Sequence, residues 1–203
     1  RPTPGKANPM KPLHFVDTTL RDGNTSLWAG ALTTDMIMPI ADQLDRAGYQ
    51  AMEILDVAFF KKMVRDLKND PWDRVRRLVE VTPATPLRVI TSRHLTFEYS
   101  PPEIDRLFVE RLAANGVRQV RISDPSNTAT NWKRLVVNAQ EVGLDSIVNL
   151  IYSIAPIYTD DYYRNLAREA AKLRPTAICI KDPGGLLKPE RTRTLVPAVL
   201  AET

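Results

Sequence analysis

The chain has 203 residues, 43% of them hydrophobic and 26% charged, with a formal net charge of +4. That is enough polypeptide for one domain with a sizeable core. Its basic residues are interleaved with acids, as in KKMVRDLKNDPWDRVRR at 61–77, a pattern that describes solvated helix faces and argues against a nucleic-acid surface. The one cysteine, Cys179, excludes an internal disulfide framework, and its place in the run AICI predicts a buried, inert thiol. No apolar run is long enough to span a membrane, and no signal pattern is present, so a cytoplasmic location is the default expectation.

The chain opens on Arg1, as a processed product or a piece would, and RPTPGKANPMKP at 1–12 reads as a flexible leader before a domain over 13–203. Phe15 to Leu20 has the β-branched and apolar character of a short strand, and Arg21, Asp22 and Gly23 stand where that strand should end. Gly23 is expected to allow a tight turn. Thr33 to Gly48 predicts a helix, capped by Thr33 or Thr34, with Ile37, Ile40, Ala41 and Leu44 as its inner stripe. AMEIL at 51–55 is a strand carrying Glu53. A helical region over 59–80 is interrupted near Asp70–Pro71. Strands follow at 86–92, 118–123, 145–153 and 176–182, with helices at 102–115, 131–142, 159–173 and 191–201.

Six strand–helix units at intervals of roughly 30 residues predict a parallel sheet with helices outside it. Two closures satisfy that pattern, an open doubly wound sheet and a (β/α)8 barrel. The first strand is not followed by GxGxxG, which counts against a dinucleotide-binding sheet. In either closure the polar loops after the strands form the working face. A barrel requires eight units, so this chain would supply six of them, the last two strands lying on further sequence or another chain.

Four groups at strand ends carry candidate chemistry. An Arg beside an Asp, Arg21 and Asp22, suits an anionic oxygen and a cation, although a surface ion pair fits the local sequence equally well. Glu53 should point inward if Met52 and Ile54 face the helices, and Arg21 is its available cation. Lys181 ends the apolar run 176–180, which resembles a strand buried on both faces. Desolvation there would favour the neutral amine, able to form a Schiff base or to take up CO2 as a carbamate that ligates a metal. The plain alternative is a lysine paired with Asp182 or Asp124. His14 reads as a surface residue and His94 as a loop residue on the working face. The two share no metal-ligand spacing.

DTTLRD at 17–22, NDPWDRVRRL at 69–78 and ICIKDPGGLLKP at 178–189 together resemble the carboxyltransferase domain of biotin-dependent enzymes. These include pyruvate carboxylase, the oxaloacetate decarboxylase α subunit and the transcarboxylase keto-acid subunit, within the metal-dependent TIM-barrel lyases of the Asp-Arg-Glu signature. The similarity runs from about residue 14 to 203 and implies a TIM (β/α)8 barrel of which strands one to six are present. It further implies that Asp22 and a carbamylated Lys181 ligate a divalent metal, Zn, Mn or Co. Arg21 would stabilise an enolate oxygen and Glu53 would hold Arg21. Carboxyl transfer or decarboxylation with biotin as carboxyl carrier would then be the activity, with a biotin carrier protein or domain as partner and a homo-oligomer as the expected assembly.

The resemblance breaks at the substrate. The family's HQS becomes Asn24, Thr25 and Ser26, so Thr25 replaces the glutamine that contacts the keto acid. Tyr99 matches the family tyrosine, but Ser92 takes the place of the arginine that binds the pyruvate carboxylate, with Arg93 one position on. Two glycines become Asp56 and Val57, and an aspartate becomes Lys61. Asp124 joins Thr25, Ser92, Arg93 and Tyr99 as a candidate substrate-binding residue. The family's His-x-His metal pair belongs to a seventh strand. These departures predict a carbonyl or carboxylated substrate other than pyruvate. An aldolase or lyase without biotin, or a non-catalytic barrel subunit, are the alternatives.

Overall fold

The computed structural model describes residues 12–92 and 101–203. Six parallel strands stand in the order of the chain: β1 (Val16–Asp17), β2 (Ala51–Asp56), β3 (Leu87–Thr91), β4 (Gln119–Ile122), β5 (Asp145–Ile151) and β6 (Ala177–Lys181). A doubly wound sheet reverses its strand order at a switch point, whereas here each strand is added on the same side of its predecessor. The result is an arc of a (β/α)8 barrel, six units long.

The helices lie on the outer face: α1 (Asn24–Trp28), α2 (Thr34–Arg46), α3 (Val57–Arg65), α4 (Pro71–Val81), α5 (Pro102–Ala114), α6 (Ala129–Glu141), α7 (Asp160–Lys172) and α8 (Pro189–Leu200). Alternation along each strand sends Met52, Val89 and Val120 outward into the helix layer, where they are fully buried. Trp132, Tyr163 and Leu195 extend that layer beneath the last three strands. Within α2, Ile37 and Ala41 are buried as expected, but Ile40 is 42% exposed. None of the helices among the described residues is long and apolar enough to cross a membrane.

The run NDPWDRVRRL is scaffold. Asn69 Oδ1 accepts from Thr34 N–H, and Asp70 caps α4 by accepting from Trp72 N–H at 2.9 Å. Trp72 packs against Phe60 and Phe108. Arg74 is 1% exposed and donates to the Leu32 carbonyl at 2.6 Å, fastening α4 to the chain before α2. Burial lowers its guanidinium pKa to about 10. Nearby, Gly30 has φ +73° and a Cβ there would meet the Phe59 ring at 2.2 Å, so only glycine fits.

Two expectations need correction. The first strand is two residues, not six, because Thr19–Gly23 winds into a π-helical turn. The last strand, read as buried on both faces, is the edge of the sheet and is half-exposed along its length.

Candidate active site

The π-turn after β1 decides where Arg21 and Asp22 go. The amides of Arg21, Asp22 and Gly23 all converge on the Thr18 carbonyl, at 3.2, 2.7 and 3.1 Å. Such turns shift a side chain off the α-helical register and occur often at functional sites. Here the turn folds Arg21 over the strand ends, its side chain 11% exposed, and leaves Asp22 54% exposed at the rim. Gly23 sits at φ −57°, ψ −45°, an ordinary helical conformation, so the tight turn expected of it does not exist.

Glu53 points inward from β2 and is 1% exposed. It accepts from Arg21 Nε at 2.6 Å, as the sequence suggested. It also accepts from Arg121 of β4, through Nε at 2.6 Å and Nη2 at 2.7 Å. Arg121 is the functional residue that sequence reasoning missed. The signal was the alternation in RQVRIS, which sets Arg121 on the same face as Ser123, but nothing local reveals a carboxylate two strands away. Two guanidiniums on one carboxylate satisfy a charge that would otherwise be costly to bury, and leave the cluster with a net positive charge.

Arg21 Nη1 donates to Asp22 Oδ1 at 2.8 Å. With Nε on Glu53, only Nη2 of this guanidinium has no hydrogen-bond partner among the described residues. Arg21 lines a cavity of about 360 Å³ together with Asp22, Arg121, Cys179 and Lys181. The curvature of the sheet thus brings the ends of the first and last strands to one space. Cys179 faces this space half-buried, which corrects its reading as a core thiol.

Lys181 Nζ donates to Ser123 Oγ at 3.1 Å, not to Asp124 or Asp182. Burial, with the Arg121 and Arg21 guanidiniums nearby, pulls the Lys181 ammonium below the usual lysine range. Asp182 instead accepts from Leu187 N–H and holds its own loop.

The candidate substrate residues separate. Ser92 lines a second cavity beside Lys181. Thr25 is exposed on α1, its hydroxyl donating to the Arg21 carbonyl at 2.7 Å. Asp124 is fully buried, and its oxygens accept from Ser126 Oγ, Thr128 N–H and Oγ1, and Asn131 Nδ2. It organises the DPSN loop. Burial works to raise its pKa, but these hydrogen bonds outweigh it and hold the carboxyl below the usual range. Arg93, His94 and Tyr99 lie outside the described residues.

For a metal, the described residues contain no group of three or more His, Cys, Asp or Glu side chains. Asp22 and Lys181 share one cavity, a carboxylate and an amine with a depressed pKa. Asp22 offers carboxylate oxygens, and Lys181 would offer oxygens only as a carbamate, in which form the pair would supply two ligands of an oxygen-ligated divalent ion.

A pyruvate carboxylase subunit from Methanocaldococcus jannaschii is 34% identical over 190 residues, 93% of this chain and 34% of that protein. Over nearly its whole length the chain is similar to the carboxyltransferase domain of pyruvate carboxylase. The large subunit of 2-oxoglutarate carboxylase from Hydrogenobacter thermophilus is 31% identical over 196 residues, 95% of this chain and 30% of that protein. Among solved structures, the carboxyl transferase domain of Rhizobium etli pyruvate carboxylase with pyruvate and biocytin superposes with a TM-score of 0.89 at 28% identity. It covers 94% of this chain and 34% of that one. No protein-family model matches. The chain spans about a third of the length of these carboxyltransferase relatives. The relatives bear out the carboxyltransferase resemblance and the barrel fold drawn from DTTLRD, NDPWDRVRRL and ICIKDPGGLLKP.

Proposed function

We propose that this chain forms the keto-acid side of a biotin-dependent carboxyl-transfer site. The observation that supports it most is the meeting of Arg21, locked by Glu53, with Lys181 and Asp22 around one cavity at the C-terminal ends of the strands. Arg21 lines that cavity, with Nη2 left without a partner among the described residues. A donor fixed in this way stabilises negative charge on a carbonyl oxygen as the substrate becomes an enolate, with no reorganisation at the moment of reaction. Arg121 keeps Glu53 from swinging away with Arg21, so the two arginines share one carboxylate as a rigid clamp.

Lys181, with its ammonium form disfavoured, is suited to take up CO2 as a carbamate, and Ser123 fixes its reach along the rim. Asp22 and that carbamate are the residues that would hold a divalent metal, Zn, Mn or Co by family resemblance. When bound, such an ion supplies a Lewis acid for the same enolate. Carboxylated biotin, if bound here, would supply the carboxyl group and, having given it up, a site for the proton lost from the keto acid's carbon. A biotin carrier protein or domain is the partner this reading requires, and a homo-oligomer is its expected assembly.

The substrate is an acid other than pyruvate. Thr25 spends its hydroxyl on the Arg21 carbonyl and cannot replace a glutamine amide. Ser92 offers no cation for a carboxylate. The relatives named above themselves differ in keto acid by name, pyruvate in one and 2-oxoglutarate in another, which supports a site that changes its acid within one scaffold.

Lys181→Ala tests the reading. Its stoichiometric divalent metal should be lost and turnover should fall by about a hundredfold or more, while circular dichroism is unchanged because β6 is half-exposed. Unchanged metal content would refute the carbamate role. Avidin should abolish turnover, and avidin-insensitive C–C cleavage would favour a lyase of the same barrel class.

A further inference from the structure

Lys181 stands between two cavities of nearly equal size but opposite character. The first, of about 360 Å³, is walled by the Arg21 and Arg121 guanidiniums. The second, of about 370 Å³, is lined by Asp56, Ser92 and Ser123 together with the apolar Ile90, Val57 and Pro125, with no arginine in its described lining. A substrate that puts an anionic end against the arginines extends its other end past Lys181 toward a carboxylate and hydroxyls.

Asp56 ends β2 and is half-buried. Its Oδ1 accepts from Ala58 N–H at 2.7 Å and caps α3. Among the described residues its Oδ2 has no hydrogen-bond partner, and no cation lies in direct contact with it. Capping alone does not require a charge, since asparagine or serine caps as well. A carboxylate here therefore adds something to the cavity that the helix does not need. Burial raises its pKa, against the Ala58 hydrogen bond and the Arg21 and Lys181 charges, so it is an incompletely satisfied group.

We propose that Asp56 makes the second cavity a subsite for the far end of the substrate, selecting 2-oxo acids that end in a hydrogen-bond donor over those that end in a second carboxylate. A hydroxyl or ammonium donates to Oδ2, whereas a terminal carboxylate meets a like charge in a desolvated wall. Carbamylation of Lys181 would replace the one cation of its described lining by an anion and strengthen the preference. The inference rests on the carboxyl-transfer reading above.

The test is avidin-sensitive carboxylation of pyruvate, 3-hydroxypyruvate and 2-oxoglutarate by the biotin-loaded holoenzyme. The wild type should show the highest kcat/KM for 3-hydroxypyruvate and the lowest for 2-oxoglutarate. Asp56→Asn retains the cap and the shape, and should lower the ratio of 3-hydroxypyruvate to 2-oxoglutarate by about ten- to a hundredfold. Asp56→Ser, a second capping residue, should lower it in the same direction. A ratio unchanged in both variants, with turnover retained, overturns the role of Asp56 and leaves carboxyl transfer standing. No avidin-sensitive turnover of any of the three acids overturns both.

Discussion

Glu53 and Asp124 are both buried carboxylates, 1% and 0% exposed, one inside β2 and the other just past β4, and the origin of their partners separates them. Glu53 is satisfied from afar, by Arg21 on the turn after the first strand and by Arg121 two strands away. Asp124 is satisfied by its own loop, through Ser126, Thr128 and Asn131, all within seven residues. A carboxylate bound to distant cations fixes side chains in space, and both of those cations line the cavity. A carboxylate bound to neighbouring hydroxyls and amides orders a turn. The same residue class thus serves a site in one case and orders a loop in the other.

The sharpest way to break this contrast is Glu53→Gln. Volume is kept, but Arg21 and Arg121 lose a shared anion and one of two hydrogen-bond acceptors. Leaving buried charges unpaired costs on the order of 3–5 kcal/mol. Urea denaturation should show that loss, and turnover should be abolished, since Arg21 no longer has a fixed direction. A variant as stable and active as wild type would remove Glu53 from the machinery.

Asp124→Ala should cost about 1–3 kcal/mol, the penalty for stranding several buried donors. Its effect carries a pH signature. The folded carboxyl lies below its unfolded value of 3.8, so its stabilisation is complete above that pH and fades as pH falls through the folded pKa. The stability gap between wild type and Asp124→Ala, measured by denaturation at neutral pH and below pH 3, should therefore shrink in acid. Turnover should fall far less than in Glu53→Gln. Equal losses of activity would erase the distinction between the two carboxylates.

The reach of the sequence follows the same division. Periodicity and repeated strand–helix spacing carry the fold, because burial of one face is written into every strand. Glu53 was legible because an acid in AMEIL must point inward, and Arg21 was its nearest cation. Arg121 was not, because its partner is set by the curvature of the sheet, which brings β4 across from β2 over an intervening strand. The short first strand was missed for a related reason. FVDTTL has strand-like residues, yet the Thr18 carbonyl draws three successive amides into a π-turn that composition does not encode. The local donors of Asp124 were not legible, because a buried acid after a strand has the same sequence appearance whether its donors are local or distant. Lys181 at a strand end stands out in the sequence, but its hydroxyl partner Ser123 lies 58 residues away.

Asp56 offers the smallest and most diagnostic test, because it combines both kinds of environment: a local backbone donor at Oδ1 and distant charges around the cavity. Its pKa is raised above 3.8 chiefly by burial. Between 3.8 and the folded value, the unfolded chain has released the proton and the folded chain retains it. The folded state then binds more protons, so raising the pH through that window lowers stability. Asp56→Asn keeps the cap but has no proton to lose. Its melting temperature relative to wild type should therefore rise as pH goes from below 3.8 to neutrality and then level, by the equivalent of about 1 kcal/mol or less. A difference that is flat, or that falls with pH, would mean that the Asp56 carboxylate is satisfied in the fold as Asp124 is, and that it has no unmet acceptor to offer a substrate.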